Sequence, residues 1–411
     1  PGLIVVYLAF RTGGYYTETS SVVVVALATI LGAHALVSRQ PFAGVSAPLA
    51  EAAGALLLLV AWTWLSAGWS DSPGRAVLEA QRTSLYLLGL LVCGLFLRRR
   101  GGVSLALGGV AVAIVGVCVA ALATRLYPDE FTVAETLSSS RLSFPISYWN
   151  SLGLFAGLGL VLSLHFACNH HAHALARIAG AAAVPVAAST IYFTFSRGAA
   201  AATVAGVVAY LLVARPRGAV AGVLAAGPAT WLALRSAYDA DLLGTAANTT
   251  APAAAQGHDV AAALLLACGV AAGARALLLV LDARLARIPP AGARLKRAAP
   301  VAAAVLLLLA VGGALALDAP DRIERAYESF TQAERGDDAR SRFRSVRIGG
   351  RADHWRIALD GYAANRLTGT GAGTYELQWL RDRPDASETS EAHSLYIEML
   401  AELGVVGFLL V

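Results

Sequence analysis

The sequence predicts an all-α protein that crosses a membrane about twelve times. Hydrophobic residues make up 57% of its 411 residues and charged residues only 14%, whereas soluble chains have roughly 45–50% and 25%. The mean hydropathy of +0.61 agrees, because a soluble fold of this size has no core large enough to bury so many apolar side chains. The chain begins and ends inside apolar runs, so we expect a clipped first span and a clipped last span.

Runs of about 20 mostly apolar residues mark the expected spans. They cover 1–10, 20–37, 50–67, 84–97, 102–124, 148–168, 178–195, 198–214, 218–234, 259–281, 299–317 and a twelfth that starts near residue 393. This predicts transmembrane helices with short loops over 1–317, a large loop over 318–392, and the start of the last span over 393–411.

Basic residues in the short loops predict the orientation, because such residues collect on the cytoplasmic side. With twelve spans, all the basic clusters of the short loops fall on one side of the membrane. These clusters are Arg98, Arg99 and Arg100; Arg177; Arg215 and Arg217; and Arg284, Arg287, Arg294, Lys296 and Arg297. The loops at 125–147 and 318–392 then lie outside the cell. The same rule explains the net charge of +5, so we expect the lipid bilayer as a partner and no nucleic acid.

The long outer loop is expected to be partly helical. An apolar stripe with helical spacing starts at its arginine: Arg351, Trp355, Leu359 and Tyr362. Three glycines then predict a turn-rich break: Gly369, Gly371 and Gly373. A further helix is expected to begin near Glu391 and to continue into the last span.

Arginines at predicted outer helix ends are the first candidate site residues. Arg197 lies in a short turn between two spans, and Arg141 lies just ahead of an aromatic pair and Asn150. One interpretation is an interfacial arginine or aromatic belt. The other is an anion site, since arginines at the membrane edge usually mark pathways or partners. Arg351 would need an anion beside it if its face packs down, and a lipid phosphate or a carboxylate would both serve.

Histidines and cysteines offer no convincing metal site. His170, His171 and His173 cluster in a predicted cytoplasmic loop without nearby carboxylates, so we interpret them as solvated loop residues. The four cysteines have no paired spacing, which predicts neither a disulfide nor a zinc site. Phosphate-loop, dinucleotide and HExxH motifs are absent from the sequence, and we expect no cofactor and no metal.

His393 is the histidine singled out as a candidate base. It opens the last predicted span, with Tyr396 expected one turn away on the same face, while His354 beside Trp355 is the rival candidate. A histidine suits proton transfer near neutral pH because its unperturbed pKa is about 6.5.

These motifs, in this order, resemble the O-antigen ligase and polymerase superfamily. The resemblance rests on residues 195–198 (Phe-Ser-Arg-Gly), Arg351 with Trp355, 368–371 (Thr-Gly-Thr-Gly), 392–396 (Ala-His-Ser-Leu-Tyr) and 402–404 (Glu-Leu-Gly). The predicted arrangement of twelve spans, with the large loop before the last span, is similar to the architecture of that superfamily. Ser394 stands where the family usually has Asn.

The resemblance implies a metal-independent glycosyltransferase in the bacterial cytoplasmic membrane, with its active site facing outside. The donor would be an undecaprenyl-pyrophosphate-linked glycan, and the acceptor a glycan or a lipid-linked molecule. By match to the family motifs, Arg197 and Arg351 would bind the donor pyrophosphate, Arg141 would do so less securely, and His393 would be the catalytic base. Trp355, Tyr396 and Asn150 are expected to support this site.

Two alternatives stay open from the sequence. Within the superfamily, a ligase moves the glycan to another acceptor, whereas a polymerase extends it on its carrier. A different class is a transporter or flippase for lipid-linked or anionic solutes, although the sequence lacks the internal repeat that many transporters show.

Overall fold

The computed structural model describes residues 1–42, 45–97, 101–131, 140–285, 351–384, 386 and 388–411. Over these ranges the regular elements are thirteen α-helices and two short 3-10 turns, without a strand. The helices are α1 (Gly2–Ala9), α2 (Thr17–Val37), α3 (Ala47–Ser66), α4 (Pro73–Phe96), α5 (Gly102–Leu126), α6 (Trp149–Cys168), α7 (Ala174–Thr194), α8 (Arg197–Ala214), α9 (Ala219–Asp239), α10 (Ala251–Leu285), α11 (Arg351–Ala364), α12 (Tyr375–Asp382) and α13 (Leu395–Leu410). The predicted all-α class is confirmed for this part of the chain.

Eight helices within the described ranges are long and apolar enough to cross a membrane, namely α2 to α8 and α10. Helices suit this environment because they satisfy their backbone hydrogen bonds internally. α1 and α13 have eight and 16 residues, and α9 is not among the eight. The predicted span at 299–317 and the basic residues 98–100 and 287–297 lie outside the described residues. A multi-pass membrane protein is therefore supported, but the count of twelve spans is not.

Two predicted helix boundaries are wrong by several residues. α4 begins at Pro73 and not near residue 84, because its polar first turns bond to neighbouring protein groups. Arg75 pairs with Glu376, and the Gln81 amide donates to Ser21 Oγ at 2.6 Å. α10 begins at Ala251, eight residues before its predicted span.

The described residues form two compact units. Unit 1 contains residues 1–13 and 106–285, and unit 2 contains residues 14–105 and 351–411. In unit 1, α7 packs on α6, α9 and α10, α9 packs also on α6 and α10, and α8 packs on α6. Its largest core joins α5, α6, α7, α9 and α10 through buried residues such as Leu122, Leu152, Phe193 and Ala233.

The helices of unit 1 put two predicted basic clusters at one face. The Gly218 N–H donates to the Cys168 carbonyl at 3.2 Å, so the start of α9 meets the end of α6. The pKa of His170 is lowered first by burial and then by the nearby His171, Arg217 and Arg177. Arg177 and Arg217 thus share a face as predicted, and Arg197 lies at the other end of α7 and α8.

In unit 2, α4 packs on α2 and α3, and α13 packs on α3 and α11. α13 is interrupted at Gly404, where φ is 67° and ψ is −169°. The interruption leaves two carbonyl groups of α13 without helical partners, and N–H groups of the glycine-rich turn bond to them. Thr370 N–H donates to Ala401 O at 3.0 Å, and Gly371 N–H donates to Glu402 O at 2.8 Å. Unpaired backbone groups are costly in an apolar environment, so this pairing stabilises the broken helix.

Gly369 and Gly404 are required where the turn meets the interrupted helix. Both have positive φ, 66° and 67°, which side chains with a Cβ rarely adopt. A Cβ on Gly369 would overlap the backbone of Glu402, and a Cβ on Gly404 would overlap the carbonyl of Leu367. The motifs at 368–371 and 402–404, far apart in the sequence, are therefore two sides of one contact.

The buried face of α11 is not the predicted apolar stripe but lies about one residue further round the helix. Its buried residues are His354, Ile357 and Ala358, whereas Leu359 is exposed. The reason is that α12, which the sequence did not predict, packs on this face and contributes Tyr375 and Trp379 to the same small core. Arg351 and Trp355, the first two residues of the predicted stripe, are half-buried.

Tyr396 does not share a helical face with His393, contrary to prediction. α13 starts at Leu395 and not near Glu391, and His393 precedes it with a left-handed backbone of φ 56°. Tyr396 is exposed and its ring lies 6.2 Å from that of Phe408.

Candidate functional site

In unit 1, three predicted site residues converge on the turn between α7 and α8. Phe195 ends α7 in the left-handed conformation, with φ 47°. Ser196 caps α8 by accepting the Ala199 N–H at 3.3 Å, and Arg197 is the first residue of that helix. We call residues 194–197 the arginine turn. Its position places a guanidinium at a helix N-terminus, where the backbone carries partial positive charge.

Arg141 holds the arginine turn in place. It is only 7% exposed, and it donates from Nε to Thr194 O at 2.9 Å and from Nη2 to Phe195 O at 3.1 Å. Its guanidinium lies 4.3 Å from the ring centre of Trp149. Arg141 therefore caps the end of α7, and two of its donors are engaged with backbone carbonyls.

Asn150 supports the arginine turn from α6. Its Oδ1 accepts the Ser196 hydroxyl at 2.8 Å, and its Nδ2 donates to the Tyr148 hydroxyl at 2.7 Å. Gly153, one turn further along α6, faces Ala199 Cβ so closely that an added Cβ would lie 2.8 Å away. The starts of α6 and α8 thus meet beside Arg197.

In unit 2, His393 stands at a strained point of the backbone. A left-handed conformation is uncommon in a residue other than glycine, and such strain often accompanies function. Glu398 helps to hold it, since its Oε2 accepts the Ala392 N–H at 2.8 Å. This bond closes the segment from Ala392 to Glu398. His393 lies within that segment; the residue is exposed to solvent, although protein atoms partly surround its imidazole.

His354 packs directly against His393. The two rings are nearly perpendicular at 87°, with centroids 5.4 Å apart. On its other side the His354 ring lies 4.1 Å from that of Trp379, and its Nδ1 is 3.1 Å from the Tyr375 hydroxyl. The two histidines considered as rival bases are therefore neighbours, one buried and one exposed.

Arg351 lies close enough to His393 to influence its protonation. Partial burial of the imidazole lowers the pKa of His393 first, and the charge of Arg351 lowers it further. Both effects disfavour the charged imidazolium. Burial is the larger of the two causes. A neutral imidazole beside a fixed cation suits a general base next to an anion.

An acidic and a basic side chain of α4 lie near the same segment. Glu79 pairs with Arg82 at 2.6 Å, and both act electrostatically on Glu398. The sequence analysis missed these residues because α4 was predicted to start after them. It also missed Tyr375, Trp379 and Glu398, although a glutamate five residues after His393 was a signal for a closed loop at the helix start.

Among the described residues, no group of three or more His, Cys, Asp and Glu side chains is arranged so that it could hold a metal ion. Asp337 and Asp338, two adjacent acidic residues of the long loop, lie outside the described ranges.

Fold and motifs together define the class: a multi-pass helical membrane protein in which a histidine, His393, and an arginine, Arg351, lie near each other beside α13. Residues 260–411 match the family described as O-antigen ligase. This match confirms the predicted resemblance to the O-antigen ligase and polymerase superfamily, and it includes Arg351, His354 and His393. No curated protein matches the chain, and no solved structure matches it.

Proposed function

We propose that this protein is a membrane glycosyltransferase that moves or polymerises a glycan from an undecaprenyl-pyrophosphate carrier. The observation that carries the proposal is that Arg351 lies near His393, close enough for its charge to act on the imidazole, within the segment that matches the O-antigen ligase family. The reaction would take place at the outer face of the bacterial cytoplasmic membrane, and the acceptor is a second glycan or a lipid-linked molecule.

The chemistry assigns one role to each group. An acceptor hydroxyl attacks the anomeric carbon of the donor sugar while His393 takes the hydroxyl proton. The bond between that carbon and the pyrophosphate oxygen breaks, and its electron pair leaves with the lipid pyrophosphate. The leaving group gains negative charge, which a nearby guanidinium stabilises. Arg351 supplies this cation beside His393.

Arg197 is proposed to bind donor phosphate oxygens in unit 1, assisted by the N-terminus of α8. Guanidinium groups bind phosphate bidentately, so the reaction is proposed to need no divalent metal. We assign Arg141 a positioning role, because its bonds to Thr194 and Phe195 fix the turn that presents Arg197. Asn150 serves the same turn through Ser196.

Transport of a lipid-linked or anionic solute is the second candidate function. The interruption of α13 at Gly404 favours it, because discontinuous helices line the substrate sites of many transporters. A transporter needs no base, however, and the strained position of His393 beside Arg351 would then have no chemical role.

Purified protein in lipid vesicles separates these functions. The vesicles carry an undecaprenyl-pyrophosphate-linked oligosaccharide extracted from the cells that make this protein, together with acceptor glycan on the same lipid. A new glycosidic linkage, detected by mass spectrometry, is the expected result. Movement of the oligosaccharide across the vesicle membrane without a new linkage would show a transporter.

A further inference from the structure

We propose that His354 is a positioning residue for His393, held in place by the hydroxyl of Tyr375. The proposal rests on the function proposed above, in which His393 is the base. His354 would contact neither donor nor acceptor, and would act only through the ring of His393.

The geometry requires a support of this kind. His393 lies in an exposed loop before α13, and its backbone is held by the bond between Ala392 N–H and Glu398. That bond does not fix the imidazole, which turns about two side-chain torsions. The perpendicular ring of His354 has its centroid 5.4 Å from that of His393, and we propose that this contact restricts those torsions.

His354 is itself rigidly held. It is 9% exposed, with Trp379 at 4.1 Å on one side and the Tyr375 hydroxyl 3.1 Å from Nδ1. The same hydroxyl lies 3.3 Å from the backbone carbonyl of His354. Burial, followed by the charge of Glu398, raises the pKa of Tyr375, so this hydroxyl keeps its proton and remains a donor.

The supporting groups are themselves tied to the interrupted α13. Glu402 accepts the N–H of Tyr375 at 2.9 Å, which fixes the first residue of α12. A chain of contacts therefore runs from Glu402 through Tyr375 and His354 to His393. Catalytic side chains need such support, because a displacement of about 1 Å costs roughly a hundredfold in rate.

Three variants of the full-length protein test the proposal in the vesicle assay. His354→Ala removes the supporting ring, and we expect kcat to fall about ten- to a hundredfold with KM for the donor unchanged. His354→Phe keeps a ring against His393 and should restore most of kcat. Tyr375→Phe removes the hydroxyl that holds His354, and its kcat should lie between the values of wild type and His354→Ala. Asp360→Ala, on the exposed face of the same helix, is the matched control and should behave as wild type.

A second measurement needs no substrate. Diethyl pyrocarbonate modifies neutral imidazoles, and the modification rate of His393 is followed by peptide mass spectrometry. We expect His354→Ala to raise this rate severalfold and His354→Phe to restore it, with Asp360→Ala again unchanged. If His393 is modified at the same rate in His354→Ala as in wild type, the proposal that His354 positions His393 is overturned.

The outcomes separate this proposal from the proposed function. Normal kcat in both His354→Ala and Tyr375→Phe, alongside an inactive His393→Ala, would overturn the positioning role and leave the base in place. A raised KM with normal kcat in His354→Ala would show that His354 binds substrate, which also overturns it. Full activity of His393→Ala would overturn both proposals together.

Discussion

The carboxylate of Glu402 accepts the backbone N–H of Gly373 at 2.8 Å, and its other oxygen accepts that of Tyr375 at 2.9 Å. Glu402 lies in α13, immediately before the interruption at Gly404, and is 4% exposed. One buried side chain thus joins the interrupted helix, the glycine-rich turn and the start of α12.

Glu402→Ala should destabilise the protein, because it leaves the N–H groups of Gly373, which is half-buried, and Tyr375, which is buried, without their acceptor. Such a loss typically costs about 1–3 kcal/mol per group. Glu402→Gln keeps one oxygen acceptor, so it should reduce the stability of the protein by a smaller amount. Thermal unfolding in detergent measures the effect, with the exposed Glu388→Ala as control. Equal melting temperatures for Glu402→Ala and Glu388→Ala would contradict this role.

Arg351→Gln should have two separate effects on the transfer reaction. It should weaken use of the pyrophosphate donor by roughly ten- to a hundredfold, since a hydrogen bond to an ion contributes about 1.5–3 kcal/mol. It should also move the acid limb of the pH–rate profile to higher pH.

The direction of that shift follows from the charge of Arg351. In the folded protein the pKa of His393 is lowered by burial and by Arg351, so the wild-type base stays neutral down to a pH below its ordinary value of about 6.5. Without Arg351 the imidazolium is less disfavoured, and activity is lost at a higher pH during acidification. Arg356→Gln, on the exposed side of α11, is the control. An unshifted acid limb in Arg351→Gln would separate Arg351 from the base.

Arg197→Ala should weaken the donor interaction without destabilising the protein, and Arg197→Lys should recover only part of it, because lysine lacks the planar fork. Arg215→Ala, at the opposite end of α8, should have no such effect. Arg141→Ala should lower the melting temperature as well as donor use, since it removes the bonds to Thr194 and Phe195. Undiminished donor use by Arg197→Ala would exclude it from the site.

The spans were predictable from sequence because the membrane requires long apolar helices. The start of α4 was not, because Arg75, Glu79 and Gln81 bond to protein neighbours that a hydropathy scan does not see. α12 was not predicted for a similar reason. The three glycines before it indicated a break, and the carboxylate that accepts the N–H of its first residue belongs to Glu402, which is distant in the sequence.

The candidate residues themselves were easier to predict than their partners. A charged or titratable side chain in a short motif, such as Arg197 or His393, stands out in an apolar sequence. The contact between His354 and His393 depends on how α11 and α12 pack, and the apolar stripe predicted for α11 pointed to the wrong face. Arg141 was a candidate from its place in the sequence, but its bonds to backbone carbonyls carry no signature there.

Transfer should not depend on a divalent metal, because the proposed mechanism uses guanidinium groups to stabilise the leaving pyrophosphate. We expect the same rate in EDTA as in Mg²⁺ or Mn²⁺. A rate that collapses in EDTA and returns with either metal would contradict this, and would direct attention to Asp337 and Asp338.

The central claim is that His393 is the base of a glycosyl transfer, and single-turnover kinetics with His393→Ala test it most directly. The rate constant for forming the new glycoside should fall by about 10²–10⁴-fold. Binding of the lipid-pyrophosphate donor, measured on the same preparation, should stay close to wild type because the arginines carry it. A normal transfer rate, or a loss of donor binding in place of rate, would contradict the account.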